Sequence, residues 1–177
     1  MRQILLLATL SAASLALGGC QTTGGVPTNR VAQATFKTAT GLPAGTAQFL
    51  SNGSQVSVVV AVVGFTPGQH GLHLHTTGKC EGPDFASAGP HLNPAGHKHG
   101  AENPQGSHLG DLPNVTVDSK GAGTVTASLM GTPDEVMSEL FDADGTAIVV
   151  HAGPDDYKTD PSGNSGGREA CGVVRKT

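Results

Sequence analysis

Short runs rich in β-branched and apolar residues recur along this chain, separated by Gly, Pro, Asn and Asp, and helical periodicity is hard to find. The runs predict strands over Val31–Thr38, Gly45–Leu50, Gln55–Val63, Gly71–His75, Asn114–Val117, Gly123–Ser128, Ala147–His151 and Gly172–Arg175. Asn52-Gly53, between the second and third, is a hairpin signal. Many short strands with turn residues between them predict an all-β antiparallel sandwich or barrel. Two segments break the rhythm: Thr76–Pro113 and Ala152–Ala170 are rich in Gly, Pro, His and Asp and poor in aliphatic residues. Loops of that length are functional or disordered, and these two hold most of the metal-binding side chains. Thr132–Phe141 is the one stretch that reads as a turn of helix.

The start of the chain has a different pattern. Arg2, an apolar run from Ile4 to Leu17, and then Leu17-Gly18-Gly19-Cys20 make an export signal, too short for a comfortable membrane span. Leu-x-Gly-Cys also resembles a bacterial lipobox, which predicts a signal peptide over 1–19 and a lipid on Cys20. Gln21, in place of the Asp that marks inner-membrane retention in some bacteria, favours the outer membrane. Residues 20–30 read as a lipidated, flexible tether, and 31–177 as one domain.

Arg2 is the only charged residue of the signal, so nine of the ten cations remain against 14 acids, a net charge of −5. That excludes the basic footprint of nucleic-acid binding. Export also suits the cysteines. With Cys20 committed to lipid, Cys80 and Cys171 form a candidate disulfide in an oxidising compartment, two buried free thiols being the alternative.

Eight histidines carry the candidate chemistry. His73 and His75 flank Leu74 in a strand-like stretch, so both imidazoles project from one sheet face. That pair is half of a copper site, and His151, ending the run Ile148-Val149-Val150, could join it across the sheet. His91, His99, His108 and Asp111 in the first long loop suit a four-coordinate zinc. A loop this poor in apolar residues cannot fold on packing alone, so metal bonds and a Cys80 bridge would supply its order.

Several motifs resemble the copper/zinc superoxide dismutase family in order and spacing. They are Gly71-Leu72-His73-Leu74-His75, Ser87-Ala88-Gly89-Pro90-His91-Leu92-Asn93-Pro94, Lys98-His99-Gly100, His108-Leu109-Gly110-Asp111-Leu112, Val149-Val150-His151 and Arg168-Glu169-Ala170-Cys171-Gly172-Val173. The extra residues between His75 and His91, and Asp-Leu-Pro-Asn after the zinc loop, resemble the bacterial exported branch.

The resemblance implies an immunoglobulin-like Greek-key fold and superoxide as substrate. It implies copper on His73, His75, His91 and His151, and zinc on His91, His99, His108 and Asp111, with His91 shared. It further implies a Cys80–Cys171 disulfide, Asp155 linking a copper histidine to a zinc histidine, and Arg168 binding the anion, with a homodimer left open. His70 matches a position that bonds between loops, and His97 is assigned to the surface. The implied mechanism alternates copper between two oxidation states while His91 takes up and returns a proton.

The net negative charge should repel superoxide, so a local positive field is expected near the copper. Arg168 is its main contributor; Lys158 and Lys79 are further candidates. Two features depart from the family: Glu169 stands where relatives carry an apolar residue, and Asp155–Gly167 is unusually acidic for a loop that steers an anion. The expected role is protection of the cell envelope. A lipoprotein that buffers copper and zinc explains the histidines equally well but predicts neither Arg168 nor a shared ring, and a sandwich stabilised by zinc alone leaves His73, His75 and His151 without purpose.

Overall fold

The computed structural model describes residues 28–177. The expected export signal, Cys20 and the expected tether up to residue 27 lie outside the described residues. The first strand, β1 (Asn29–Thr38), begins two residues before the expected strand start at Val31 and so takes in the last two residues of the expected tether, with Asn29 paired to Ser51. It is followed by β2 (Pro43–Ser51), β3 (Val56–Val63), β4 (Gly68–His75), β5 (Asp111–Val117), β6 (Ala122–Ser128), α1 (Pro133–Leu140), β7 (Ala147–His151), β8 (Arg168–Val173) and a short β9 (Arg175–Lys176).

All strand pairings are antiparallel, in the order β2-β3-β6-β5-β4-β7-β8-β1-β9, and the β1–β2 pairing closes the sheet into a barrel. The steps from β3 to β4 and from β6 to β7 skip neighbours, which makes the topology Greek-key. Among the described residues no helix is long and apolar enough to cross a membrane.

Alternation builds the interior. β3 turns Val56, Val58, Val60 and Val62 inward and the residues between them outward. Phe36, Phe49, Leu72, Leu74, Ile148 and Val150 meet these valines in one buried cluster. Each fully buried side chain of that size contributes roughly 1.5–3 kcal/mol of transfer free energy. Helix α1 closes the cluster with Val136 and Leu140. It starts at a capping box, in which Thr132 and Glu135 satisfy one another's backbone N–H groups, with Pro133 in the first turn.

The barrel wall also carries a second, smaller cluster on its outer face. Ala147 and Val149 of β7 and Cys171 of β8 pack against Phe85 and Ala88 from the first long loop. The Cys80–Cys171 disulfide, with Cα atoms 5.6 Å apart, fastens that loop to β8. The loop, 76–110, is therefore not ordered by metal and bridge alone. A single 3-10 turn over Ala86–Ala88 sets its apolar plug on the wall.

Asn52-Gly53 lies in the expected hairpin, whose four-residue connection is held by Asn52 Oδ1 accepting the N–H groups of Ser54 and Gln55. Several strand starts differ from the sequence reading. β5 starts at Asp111 and β8 at Arg168, three and four residues earlier than predicted. Pro113 and the polar Arg168-Glu169 pair conceal strand that the neighbouring ladders impose. Both shifts move candidate site residues from loop onto the rigid sheet.

Replacing Cys80 and Cys171 together by Ser opens a loop spanning 91 positions and is expected to lower the unfolding free energy of the metal-free protein by about 4 kcal/mol. Urea unfolding of parent and double variant checks this; equal midpoints would show that packing of Phe85 and Ala88 alone secures the loop.

Candidate metal centre

The two-residue repeat of β4 separates scaffold from chemistry. Leu72 and Leu74 enter the barrel, while His73 and His75 face its outer wall beneath the loops, and all four are buried. Register then gathers the other candidates. His73 pairs with Asp111 on one side and with Val149 on the other, and His151 pairs with Arg168. His91 arrives from the loop through an isolated bridge to His75.

One nitrogen each from His73, His75, His91 and His151 lies within 4.8 Å of all the others, and all four residues are buried. The ring of His91 stacks on that of His73 with centroids 3.9 Å apart. The outward nitrogens are already engaged: His73 Nε2 with Asp155 Oδ2 at 2.7 Å, His75 Nδ1 with the Gly89 carbonyl at 2.8 Å, and His151 Nδ1 with the Gly166 carbonyl at 3.2 Å. The inward nitrogens, His73 Nδ1, His75 Nε2, His91 Nε2 and His151 Nε2, are buried without a hydrogen-bond partner. Orphaned buried polar atoms cost roughly 1–3 kcal/mol each. Four converging on one point fit a nitrogen-ligated copper, which would satisfy them all.

A second gathering surrounds Asp111. His73, His91, His99 and Asp111 also offer atoms within 4.8 Å of one another. His108 joins them with Nδ1 3.1 Å from Asp111 Oδ1 and its ring centroid 5.3 Å from that of His99. His91 Nδ1 lies 3.1 Å from the same oxygen, and His99 Nδ1 lies 3.0 Å away without the alignment a hydrogen bond needs. One carboxylate oxygen cannot satisfy three ring nitrogens, whereas a cation among three nitrogens and a carboxylate can. The second oxygen of Asp111 is fixed by the N–H groups of Gly100 and His108, at 2.8 and 3.0 Å.

Asp155 joins the two groups. Its Oδ2 meets His73 and its Oδ1 meets His99 Nε2 at 3.0 Å. The Tyr157 N–H and the Asn114 side chain hold it from behind. Gly163, at φ +63°, is required beside it, because a Cβ there would overlap both the Asp155 carboxylate and the His99 ring.

Protonation follows from burial and charge. Burial pushes His75 down to about 2, and burial with the neighbouring His73 pushes His151 down to about 3. Burial outweighs Asp111 in lowering His91 to about 4. For His99 burial acts downward, but Asp111 and Asp155 outweigh it and raise the ring to about 9. Burial opposes charge on Asp111 and Asp155 too, yet the facing histidines and backbone N–H groups hold both carboxyls well below the usual range. Neutral imidazoles and ionised carboxylates are the forms that bind metal, so His75, His91, His151 and both carboxylates are already suited, whereas His99 would give up a proton on binding.

Arg168 donates through one terminal nitrogen to the Phe85 carbonyl at 2.6 Å and through the other to the Gly89 carbonyl at 2.7 Å. The Gly89 oxygen is the one His75 also uses, so a single acceptor ties the arginine to the first histidine group. Glu169 does not mask it. The β7–β8 ladder shifts register between Val150–Ala170 and His151–Arg168, which leaves Glu169 in a bulge, and its carboxylate lies 3.8 Å from His70 Nδ1 instead.

His70 bridges segments: Nδ1 lies 2.7 Å from the His151 carbonyl and Nε2 2.9 Å from that of Thr66. His97 is exposed, against the Ser107 carbonyl. Lys158 pairs with Glu102 at 2.7 Å, which spends it as a steering charge, and Lys79 makes no ion pair among the described residues.

The geometry agrees with the comparisons to known proteins. The family model for copper/zinc superoxide dismutase (SODC) matches residues 43–174. A Cu-Zn superoxide dismutase of Aquifex aeolicus is 42% identical over 134 residues, covering 74% of this chain and 78% of that protein. One of Caulobacter vibrioides is 41% identical over 150 residues, covering 81% and 85%. The crystal structure of a SOD-like protein from Bacillus subtilis superposes with a TM-score of 0.74 at 34% identity, over 80% of this chain and 96% of that one. A match over most of the barrel and both loops shows that the chain belongs to the copper/zinc superoxide dismutase family, oxidoreductases whose cofactors are copper and zinc.

Proposed function

We propose that copper is held by His73 Nδ1, His75 Nε2, His91 Nε2 and His151 Nε2, and zinc by His91, His99 and His108 through Nδ1 together with Asp111. His91 carries this reading. Its Nε2 is buried and unpartnered within the first group, while its Nδ1 lies 3.1 Å from the carboxylate at the heart of the second. Because Asp155 engages Nε2 of both His73 and His99, it fixes the tautomer that frees each Nδ1 for a metal, and it couples the two ring orientations.

Dismutation consumes two superoxide anions and two protons and yields one oxygen and one hydrogen peroxide, so the chain has to attract an anion and deliver protons. Copper held by that group would supply one-electron exchange with superoxide in either direction, and redox-silent zinc would keep the second group in place. Arg168 receives the anion: two of its five N–H groups are committed to the carbonyls of Phe85 and Gly89, which leaves three donors and a permanent charge. His91 Nε2 would hold a proton in the half of the cycle in which it does not hold the metal and would deliver it to the peroxide product in the other, while solvent would supply the second.

The same reading puts the enzyme in the periplasm or cell envelope, lipid-anchored through Cys20, where it removes superoxide. The leader pattern and the disulfide support it.

Arg168→Ala is expected to lower the rate of superoxide removal by the metallated protein and to flatten its dependence on salt, with copper and zinc contents unchanged. A parent that binds both metals yet removes no superoxide would favour the metal-buffer alternative. Cys20→Ala is expected to move the protein from the membrane fraction to the soluble fraction and to abolish incorporation of labelled fatty acid.

The metal-free protein should lose stability as pH falls from 7 to 5. Folded His75, His91 and His151 refuse protons until about 2, 4 and 3, whereas the unfolded chain accepts them near 6.5. Each therefore costs up to about 2 kcal/mol at pH 5. His99, raised to about 9, keeps its contribution across this window. Urea unfolding at the two pH values checks the slope; a flat profile would mean that these imidazoles are charged in the folded protein.

A further inference from the structure

His99 is held twice by the second long loop. Its ring Nε2 meets Asp155 Oδ1 at 3.0 Å, and its backbone N–H donates to Asp160 Oδ1 at 2.7 Å. The other oxygen of Asp160 pairs with Lys98 Nζ, also at 2.7 Å. One carboxylate thus closes over the Lys98-His99 dipeptide. Around it the loops are stitched together: the Glu102 N–H donates to the Tyr157 carbonyl at 3.0 Å, and the Asn103 amide reaches the Lys158 carbonyl. Gly100, at φ +98°, lets the backbones approach so closely that a Cβ would overlap the Tyr157 carbonyl.

We propose that Asp160 is a positioning residue for the zinc site: by accepting the His99 N–H it fixes the backbone that aims His99 Nδ1 at Asp111, and so slows the release of zinc. This rests on the zinc assignment above. The two bonds of Asp160 differ in weight. Lys98 and Asp160 side chains are 55% and 38% exposed, and an ion pair so open to water contributes little. The N–H···carboxylate bond is charge-assisted and short, and it acts directly on the ligand residue. Partners one step removed from a metal typically change its affinity by about 10–100-fold.

The same geometry accounts for the acidity of this loop. Asp156 accepts the N–H groups of Lys158 and Thr159, the Thr159 hydroxyl and the Asn164 amide. With Asp155 and Asp160 engaged as described, these acids build the loop and its hold on the neighbouring one.

The test follows transfer of zinc to excess chelator from protein loaded with copper and zinc, for parent, Asp160→Ala, Asp160→Asn and Lys98→Met. Asp160→Ala is expected to release zinc about ten times faster. Asp160→Asn, which keeps a carbonyl acceptor for the His99 N–H, should stay close to parent, as should Lys98→Met, and copper release should be the same in all four. Parent-like release from Asp160→Ala would overturn the proposal. So would Lys98→Met matching Asp160→Ala, which would give the effect to the ion pair, or copper leaving Asp160→Ala faster in proportion, which would mean general loosening. A parent that takes up no zinc would instead refute the zinc assignment itself.

Discussion

A fully buried carboxylate governs this structure. Asp155 comes from a loop with little apolar content, yet it is lodged where water cannot reach it, with one oxygen on His73 and the other on His99. A buried charge is tolerated only when its hydrogen-bonding capacity is met, so loop, barrel wall and the neighbouring loop must all be in place together. That requirement explains the layers of support behind it: Asn114 from β5, the Tyr157 N–H, and the absence of any side chain at Gly163. The histidines answer to the same constraint. Their outward nitrogens are committed to fixed acceptors, and this commitment turns a crowd of imidazoles into an oriented set.

Much of the fold was legible in the sequence because the barrel follows simple alternation. The valines of β3 and the His-Leu-His of β4 face the sides that a period of two assigns. The strand starts at Asp111 and Arg168 were not legible, since a proline and a polar pair suppress strand propensity and the register with β4 and β7 overrides it. The outer apolar cluster escaped notice as well: Phe85 and Ala88 are lone apolar residues in a polar loop, and only their meeting with Ala147 and Val149 makes them a plug.

The site was legible through motifs rather than through spacing. Nothing in the sequence says that the Gly89 carbonyl serves both His75 and Arg168, or that Glu169 turns toward His70. These are facts of backbone and register, the second set by a bulge in the β7–β8 ladder, visible only once the ladders are drawn. Lys158 illustrates the converse. Its charge suited steering, but a partner one loop away, Glu102, claims it.

The placement of His73 and His75 on the outside of the barrel leaves the lumen free of chemistry. Phe36, Phe49 and the β3 valines can therefore be repacked, volume for volume, without a single ligand-bearing atom being touched. Such a molecule is divisible for a protein engineer: thermal robustness can be raised from within while reactivity is adjusted from without. The one forbidden operation is a single-residue slip of β4, which would exchange the two leucines for the two imidazoles and turn both faces inside out.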